Sequence, residues 1–388
     1  MHWIAIAFAM LAATPLHAQA ARLTGDLPRR EAGPLQALPG VETEYGSIKT
    51  GEAFRLRTIL TRPSGARTRL PAIFLTQWVS CGSLDVDAGK PGLLQDIATK
   101  SGMVFIRVER AGTGDSEGPA CRDLDYDTEV RHYREALDQL AGHDWIDGGK
   151  IFVFGSSLGA TTAPLVAEGK KIAGIIVQGG GAVTYLERMI NFDRLYLERS
   201  GKYAPDQIHG EMLKRIRFHV AYLLGRKTPE EIEREQPDLL GLWGSIRGGA
   251  EAPPHYGRPY AWHWQAAARN FLAAWARAEA PVLVIHGEYD QFEPRHGHEL
   301  IAMTINRLRP GTGTFIEIPK ADHDLEFYGS PEDAYAYRDA EVRRDLLLKP
   351  MLEWIRSVAA GTRRASNSLN EDGHGSPEWW RVAACHCP

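Results

Sequence analysis

The stretch Lys150–Ala160, Lys-Ile-Phe-Val-Phe-Gly-Ser-Ser-Leu-Gly-Ala, constrains this chain more than any other. Ile151–Phe154 is a short apolar run, the pattern of a strand buried on both faces. It leads into Gly155-Ser156-Ser157-Leu158-Gly159, and the small residues from Ala160 to Ala167 read as a helix. Gly-x-Ser-x-Gly occurs often by chance, but between a strand and a helix it has a mechanical meaning. A serine in so sharp a turn holds a strained backbone, so the residues two places to either side must lack bulky side chains. Gly155 and Gly159 meet that need. The turn lifts the Ser157 hydroxyl off the sheet and aims a helix N-terminus at whatever that hydroxyl attacks. An ordinary strand-to-helix turn is the alternative reading.

Strands and helices alternate around this turn. Tyr45–Pro63 alternates about a turn at Gly51 and reads as two antiparallel strands. Leu70–Val79, Met103–Val108 and Lys171–Val177 read as buried strands, with helices over Leu93–Lys100 and Asp127–Ala141. Such alternation implies a mostly parallel sheet with right-handed crossovers. From Val183 to Ala278 the rhythm breaks into amphipathic helical segments: Tyr185–Ser200, Gln207–Leu224, Pro229–Gln236 and Trp262–Arg277. It resumes with strands over Pro281–Gly287 and Thr314–Ile318, a helix over His298–Leu308, and closing helices over Ala334–Ala359 around Pro350. The expected organisation is a signal peptide over 1–20, a core over 21–182 and 279–360, a helical cap over 183–278, and a disordered tail over 361–388. Residues 21 to about 40, with Pro28, Pro34 and Pro39, read as a loose leader.

The chain's 388 residues suffice for a large core, and its net charge is −4. No basic run points to nucleic acid. Trp3–Ala13 is apolar but too short to span a bilayer, and Ala18-Gln19-Ala20 fits a cleavage site. The positive charge that usually precedes such a run is missing, and a buried N-terminal helix is the alternative. A cleaved signal would make this an exported protein, periplasmic or extracellular, with no stable membrane insertion. In that oxidising compartment Cys81 and Cys121, which follow neighbouring strands, are expected to form a disulfide bracing two loops; free buried thiols are the alternative. No cysteine or histidine spacing matches a metal site, so no metal is expected; Gly112-x-Gly114 invites a dinucleotide reading but is not a full Gly-x-Gly-x-x-Gly, so no cofactor is expected either.

A serine hydroxyl needs a base within hydrogen-bond reach, itself oriented by a carboxylate. Both must lie at the carboxyl ends of the parallel strands, where the Ser157 turn opens. Asp290 follows the strand Val282–Gly287, with Glu288 and Glu293 as rivals, and His323 follows the last strand by a short loop. His286 reads as a structural hydrogen-bonding residue, His296 and His298 as surface residues, and Asp322 and Asp324 as solvated loop charges. A tetrahedral oxyanion needs two backbone N–H donors: Leu158 should supply one, and Trp78 or Val79 the other. Gly112-x-Gly114 does not open a helix and reads as a wall of the site, with Arg110 and Asp115 paired inside it.

Together Gly155-Ser-Ser-Leu-Gly159, Asp290 behind His286-Gly287, His323 and the loop Arg110-Ala-Gly-Thr-Gly-Asp-Ser-Glu-Gly118 resemble the α/β-hydrolase superfamily. The resemblance covers roughly residues 45 to 358 and is to exported serine esterase and peptidase-like members with a helical cap. It implies an α/β fold with about eight mostly parallel strands, and cofactor-free hydrolysis through an acyl-enzyme. The chain order Ser157, Asp290, His323 is the one this superfamily uses. Two departures stand out: Gln77-Trp78 where many relatives carry His-Gly, and Ser156 where His or Tyr is commoner. The expected reaction is hydrolysis of a small ester, with a small peptide or amide as the alternative substrate. A catalytically inactive binding protein is the non-enzymatic alternative. Oligomeric state is not legible.

Overall fold

A computed structural model describes residues 21–25, 27–30, 35–86, 92–246 and 255–361. The expected signal peptide, the loop around Gly248 and Pro253, and the tail from Thr362 onward lie outside the described residues.

The strands are β1 (Arg22–Leu23), β2 (Val41–Lys49), β3 (Arg55–Pro63), β4 (Leu70–Thr76), β5 (Val104–Val108), β6 (Ile146–Ser156), β7 (Gly174–Gln178), β8 (Val282–Gly287) and β9 (Gly313–Ile318). They form one sheet in the order β1-β2-β3-β5-β4-β6-β7-β8-β9. Only β3 runs against its two neighbours; every other pairing is parallel. The expected α/β class is therefore the observed one.

Successive residues of the central strands face opposite layers, and both layers are apolar, so strands such as Phe152–Phe154 are buried throughout. One face carries Phe74, Ile106, Val153 and Val177 beneath α2 (Tyr126–Leu140), α3 (Leu158–Ala167) and α10 (Arg295–Leu308). The other carries Ile73, Phe154, Ile176 and Leu283 beneath α1 (Leu93–Lys100) and α12 (Asp345–Ala359). Burying each such side chain contributes about 1.5–3 kcal/mol, which explains how α12 tolerates Pro350 inside it. The proline removes one hydrogen bond, while Leu347, Met351, Leu352 and Ile355 of the same helix are buried. The break among the closing helices falls earlier, at Tyr337, whose φ of +52° ends α11 (Pro331–Ala336).

Between β7 and β8 the described residues are helical: α4 (Tyr185–Arg199), α5 (Pro205–His219), α6 (Pro229–Glu235), α7 (Leu242–Ile246), α8 (Tyr260–Ala267) and α9 (Phe271–Arg277). α4 starts in a capping box, Thr184 with Glu187. The single helix expected over Trp262–Arg277 is two, because the Asn270 side chain accepts from the Ala273 N–H at 2.9 Å and starts α9 afresh. A third apolar cluster, with Phe218, Tyr222, Trp262 and Phe271, holds these helices together and reaches Leu158.

The expected loose leader is partly structured. β1 pairs with β2, Leu27 and Leu38 are buried, and Gln36 donates to Thr43 Oγ1 at 3.1 Å. Prolines discouraged regular structure there, but tertiary contacts supplied the burial.

Candidate active site

The Ser157 turn has the strain its glycines foretell. Ser157 has φ +53°, a backbone state that costs an L-residue roughly 1–2 kcal/mol. A Cβ on Gly155 would lie 2.4 Å from the Gly159 carbonyl oxygen, and one on Gly159 would lie 2.0 Å from that of Thr76. The turn is closed by the Ser157 N–H, which donates to the Gln178 carbonyl at 2.8 Å. Leu158 is the first residue of α3, so its N–H is among those an α-helix leaves without an internal partner.

Three side chains from three strand ends meet at this turn. Ser157 Oγ lies 2.9 Å from His323 Nε2, and His323 Nδ1 lies 2.9 Å from Asp290 Oδ2. The other Asp290 oxygen accepts the N–H groups of Phe292 and Glu293, each at 2.8 Å. Burial pushes the Asp290 carboxyl up, but the charge and hydrogen bond of His323 outweigh it and bring it to about 2. Burial lowers the His323 pKa, and Asp290 outweighs that, leaving the imidazole above its ordinary 6.5. Of the rival acids, Glu288 is exposed and Glu293 is buried against Arg188.

The loop after β4 forms the opposite wall. Val79 lines the cavity above Ser157, while Trp78 packs toward the sheet and donates through Nε1 to Ser80 Oγ at 2.7 Å. Cys81 and Cys121 are disulfide-bonded, tying this loop to the one after β5. Arg110 holds it further, donating to the carbonyls of Gln77 at 2.9 Å and Ser80 at 2.6 Å. Arg110 does not pair with Asp115: its partner is Glu129 of α2, and Asp115 pairs with Arg57 of β3. The two actual partners, Glu129 and Arg57, come from segments that the local sequence could not bring close to this loop.

Two further expectations are corrected. His298 is buried, not on the surface; its ring lies 4.6 Å from that of His286, and burial lowers its pKa to about 3, keeping it neutral. Asp322 is also buried rather than solvated, accepting the N–H groups of Asp324 at 3.0 Å and Glu326 at 2.9 Å, which shapes the loop carrying His323. Asp324 is exposed. Among the described residues no cluster of His, Cys, Asp and Glu is placed to hold a metal ion.

Above Ser157 and His323 opens a cavity of about 220 Å³, walled mainly by Tyr185, Met189 and Phe192 of α4 with Tyr256 and Phe292. Phe292 stacks on Phe192 at 5.0 Å and meets the His323 ring edge-to-face at 4.8 Å. The one strongly charged group on the α4 wall is Arg188.

The family model described as alpha/beta hydrolase family matches residues 91–339, which include Ser157, Asp290 and His323. The chain belongs to the alpha/beta hydrolase family. Over 118 residues it is 32% identical to polyketide transferase ATR5 of Stachybotrys chlorohalonatus, a match covering 30% of this chain and 37% of that protein. The chain thus spans little more than a third of that relative. Among solved structures it is similar to hypothetical protein PA2218 from Pseudomonas aeruginosa, with TM-score 0.50, 15% identity, and 87% of this chain and 99% of that one covered. It is likewise similar to Est1E from Butyrivibrio proteoclasticus, solved with ferulic acid, with TM-score 0.50, 14% identity, and 81% and 99% covered. At these identities the two structures speak to the fold alone.

Within this alpha/beta hydrolase, the sequence reading missed Gln178, Gln291, Arg188 and the part played by Glu293. Gln178 ends an otherwise apolar strand, and its amide donates to the His323 carbonyl while its oxygen accepts from Ser156 Oγ at 2.9 Å. A polar residue closing the run Gly174–Val177 was the available signal. Gln291 accepts the His323 N–H at 3.4 Å and is held by Tyr337. Nothing in the amphipathic pattern of α4 distinguished Arg188 from a surface arginine.

Proposed function

We propose that this protein is an exported serine hydrolase that cleaves a small carboxylic ester through an acyl-enzyme. The observation that carries this reading is the continuous hydrogen-bonded chain from Ser157 through His323 to Asp290 at the mouth of a cavity.

His323 Nε2 takes the proton as Ser157 Oγ bonds to the ester carbonyl carbon, and the carbonyl π pair moves onto oxygen. Asp290, held ionised, stabilises the imidazolium and fixes its orientation. The Leu158 N–H holds the oxyanion, with a second donor from the Trp78–Val79 turn; the position of Val79 on the cavity wall supports that assignment. The carbonyl re-forms as the C–O bond breaks, and the alcohol leaves with the proton from His323. Water, deprotonated by His323, then attacks the acyl carbon, and Ser157 departs with its proton restored. α4 to α9, over 183–278, act as the cap, and their aromatic wall suits an apolar or aromatic group. The Cys81–Cys121 disulfide supports the expectation of an oxidising compartment.

A fluorophosphonate probe tests the nucleophile: it should label the wild type and not Ser157→Ala, and an unlabelled wild type would refute the reading. A panel of p-nitrophenyl esters and aminoacyl p-nitroanilides separates esterase from peptidase, with turnover of the esters expected.

A further inference from the structure

Arg188 is an unusual group to find facing an aromatic cavity. It is 9% exposed, lies on α4, and lines the same cavity as Ser157 and His323. Taking a guanidinium out of water is costly, and buried arginines normally recover the loss by saturating their donors. Arg57, Arg110 and Arg258 do so, each combining a carboxylate with main-chain carbonyls. Arg188 does not. Its partner is Glu293, met through Nε, and Nη1 has no hydrogen-bond acceptor among the described residues. Burial opposes the charge on Glu293 and raises its pKa, so this lone carboxylate is a weaker partner than the combined sets that hold the other three. Asp324 lines the cavity too, but it is exposed, where water and salt screen its charge.

We infer that Arg188 reads the substrate: its guanidinium, on the cavity wall, binds a carboxylate on the acyl group, so that the preferred esters are small ones carrying a second, anionic group. The inference rests on the reading of Ser157 as acylated nucleophile. A planar guanidinium is suited to a carboxylate, and the modest cavity suits a short acyl chain. The positive charge also sits where a neutral apolar ester would gain nothing from it.

The test compares monomethyl glutarate with methyl valerate, its neutral counterpart of equal chain length, by acid release. A charged hydrogen bond gained on binding corresponds to about a tenfold to hundredfold preference. The wild type should therefore favour monomethyl glutarate in kcat/KM by that factor, and Arg188→Met should collapse the ratio, with Arg188→Lys restoring part of it. Calorimetry of monomethyl glutarate binding to the full chain carrying Ser157→Ala gives a readout independent of turnover. Binding that weakens at least tenfold with Arg188→Met, and tightens with Glu293→Gln, supports the inference. Glu293→Gln also serves should Arg188→Met not fold. An unchanged ratio, or no binding to the Ser157→Ala protein, overturns it. Hydrolysis of neither ester by the wild type, with binding intact, would instead count against the esterase reading.

Discussion

The Gln178 side chain donates its amide hydrogen to the main-chain carbonyl of His323. The same side chain accepts from Ser156 Oγ at 2.9 Å, and Ser156 is paired with Gln178 across β6 and β7. One residue thus links the strand end bearing the Ser157 turn to the loop bearing His323. Gln178→Met keeps the volume and removes both bonds. We expect kcat to fall on the order of 10²-fold, with KM little changed, because a displacement of about 1 Å at reacting groups costs that much. Steady-state kinetics with the acid limb of the pH profile would check it; a loss confined to KM would contradict a positioning role.

As the proposed base, His323 must be neutral. Its pKa is raised above 6.5, so kcat/KM should rise with pH through a midpoint above 6.5. Asp290→Asn removes the charge that raises it, so the midpoint should fall, and kcat should drop about 10⁴-fold as in other triads. Stability follows a different sign. Asp290 has its pKa lowered from 3.8 to about 2 by folding, so its contribution is present above pH 3.8 and lost as pH falls toward 2. Thermal melts from pH 2 to 5 should show Asp290→Asn less acid-sensitive than the wild type.

Strain at Ser157 predicts a trade between stability and chemistry. Ser157→Gly should abolish the proposed esterase activity and raise stability by about 1–2 kcal/mol, since glycine adopts φ +53° freely. Gly159→Ala should do the reverse to stability, costing about 3 kcal/mol, because its Cβ would meet the Thr76 backbone. Denaturant titration measures both.

A side chain at Gly179 would press on the imidazole. The glycine has φ +67°, and a Cβ there would lie 2.8 Å from His323 Cε1. Gly179→Ala should cost roughly 1–2 kcal/mol in stability and lower kcat by displacing the ring. Circular dichroism alongside ester turnover would separate the two effects.

The disulfide closes a loop of 40 residues, which in the chain-entropy model stabilises by about 4 kcal/mol. Reduction, or the double variant Cys81→Ala/Cys121→Ala, should lower Tm by several degrees; an unchanged Tm would show the bond contributes little.

Local signals carried much of the architecture. Apolar runs marked β5 to β9 within a few residues, and glycine spacing between a strand and a helix marked the Ser157 turn. Asp290 and His323 were legible because a residue just past a buried parallel strand must open on the same rim. The disulfide followed from the same logic of neighbouring strand ends. What failed was partner choice. The local sequence offers Arg110 the nearby Asp115, five residues away, yet it pairs with Glu129, while Asp115 pairs with Arg57. His298 and Asp322 look like surface residues in the sequence and are buried, because polarity alone says nothing of what packs above a helix start or a loop.

The sequence by itself determined the strand–turn–helix at Ser157, the alternating α/β order and the identity of the residues at the strand ends, since these depend on backbone sterics and short periodicity. Only the tertiary structure decided that Ser157, His323 and Asp290 lie within hydrogen-bond reach, that Gln178 and Gln291 hold the imidazole loop, and that Arg188 of α4 faces the cavity. Those relationships depend on the register of strands far apart in the chain and on where a helix from another segment settles, and no local pattern encodes either.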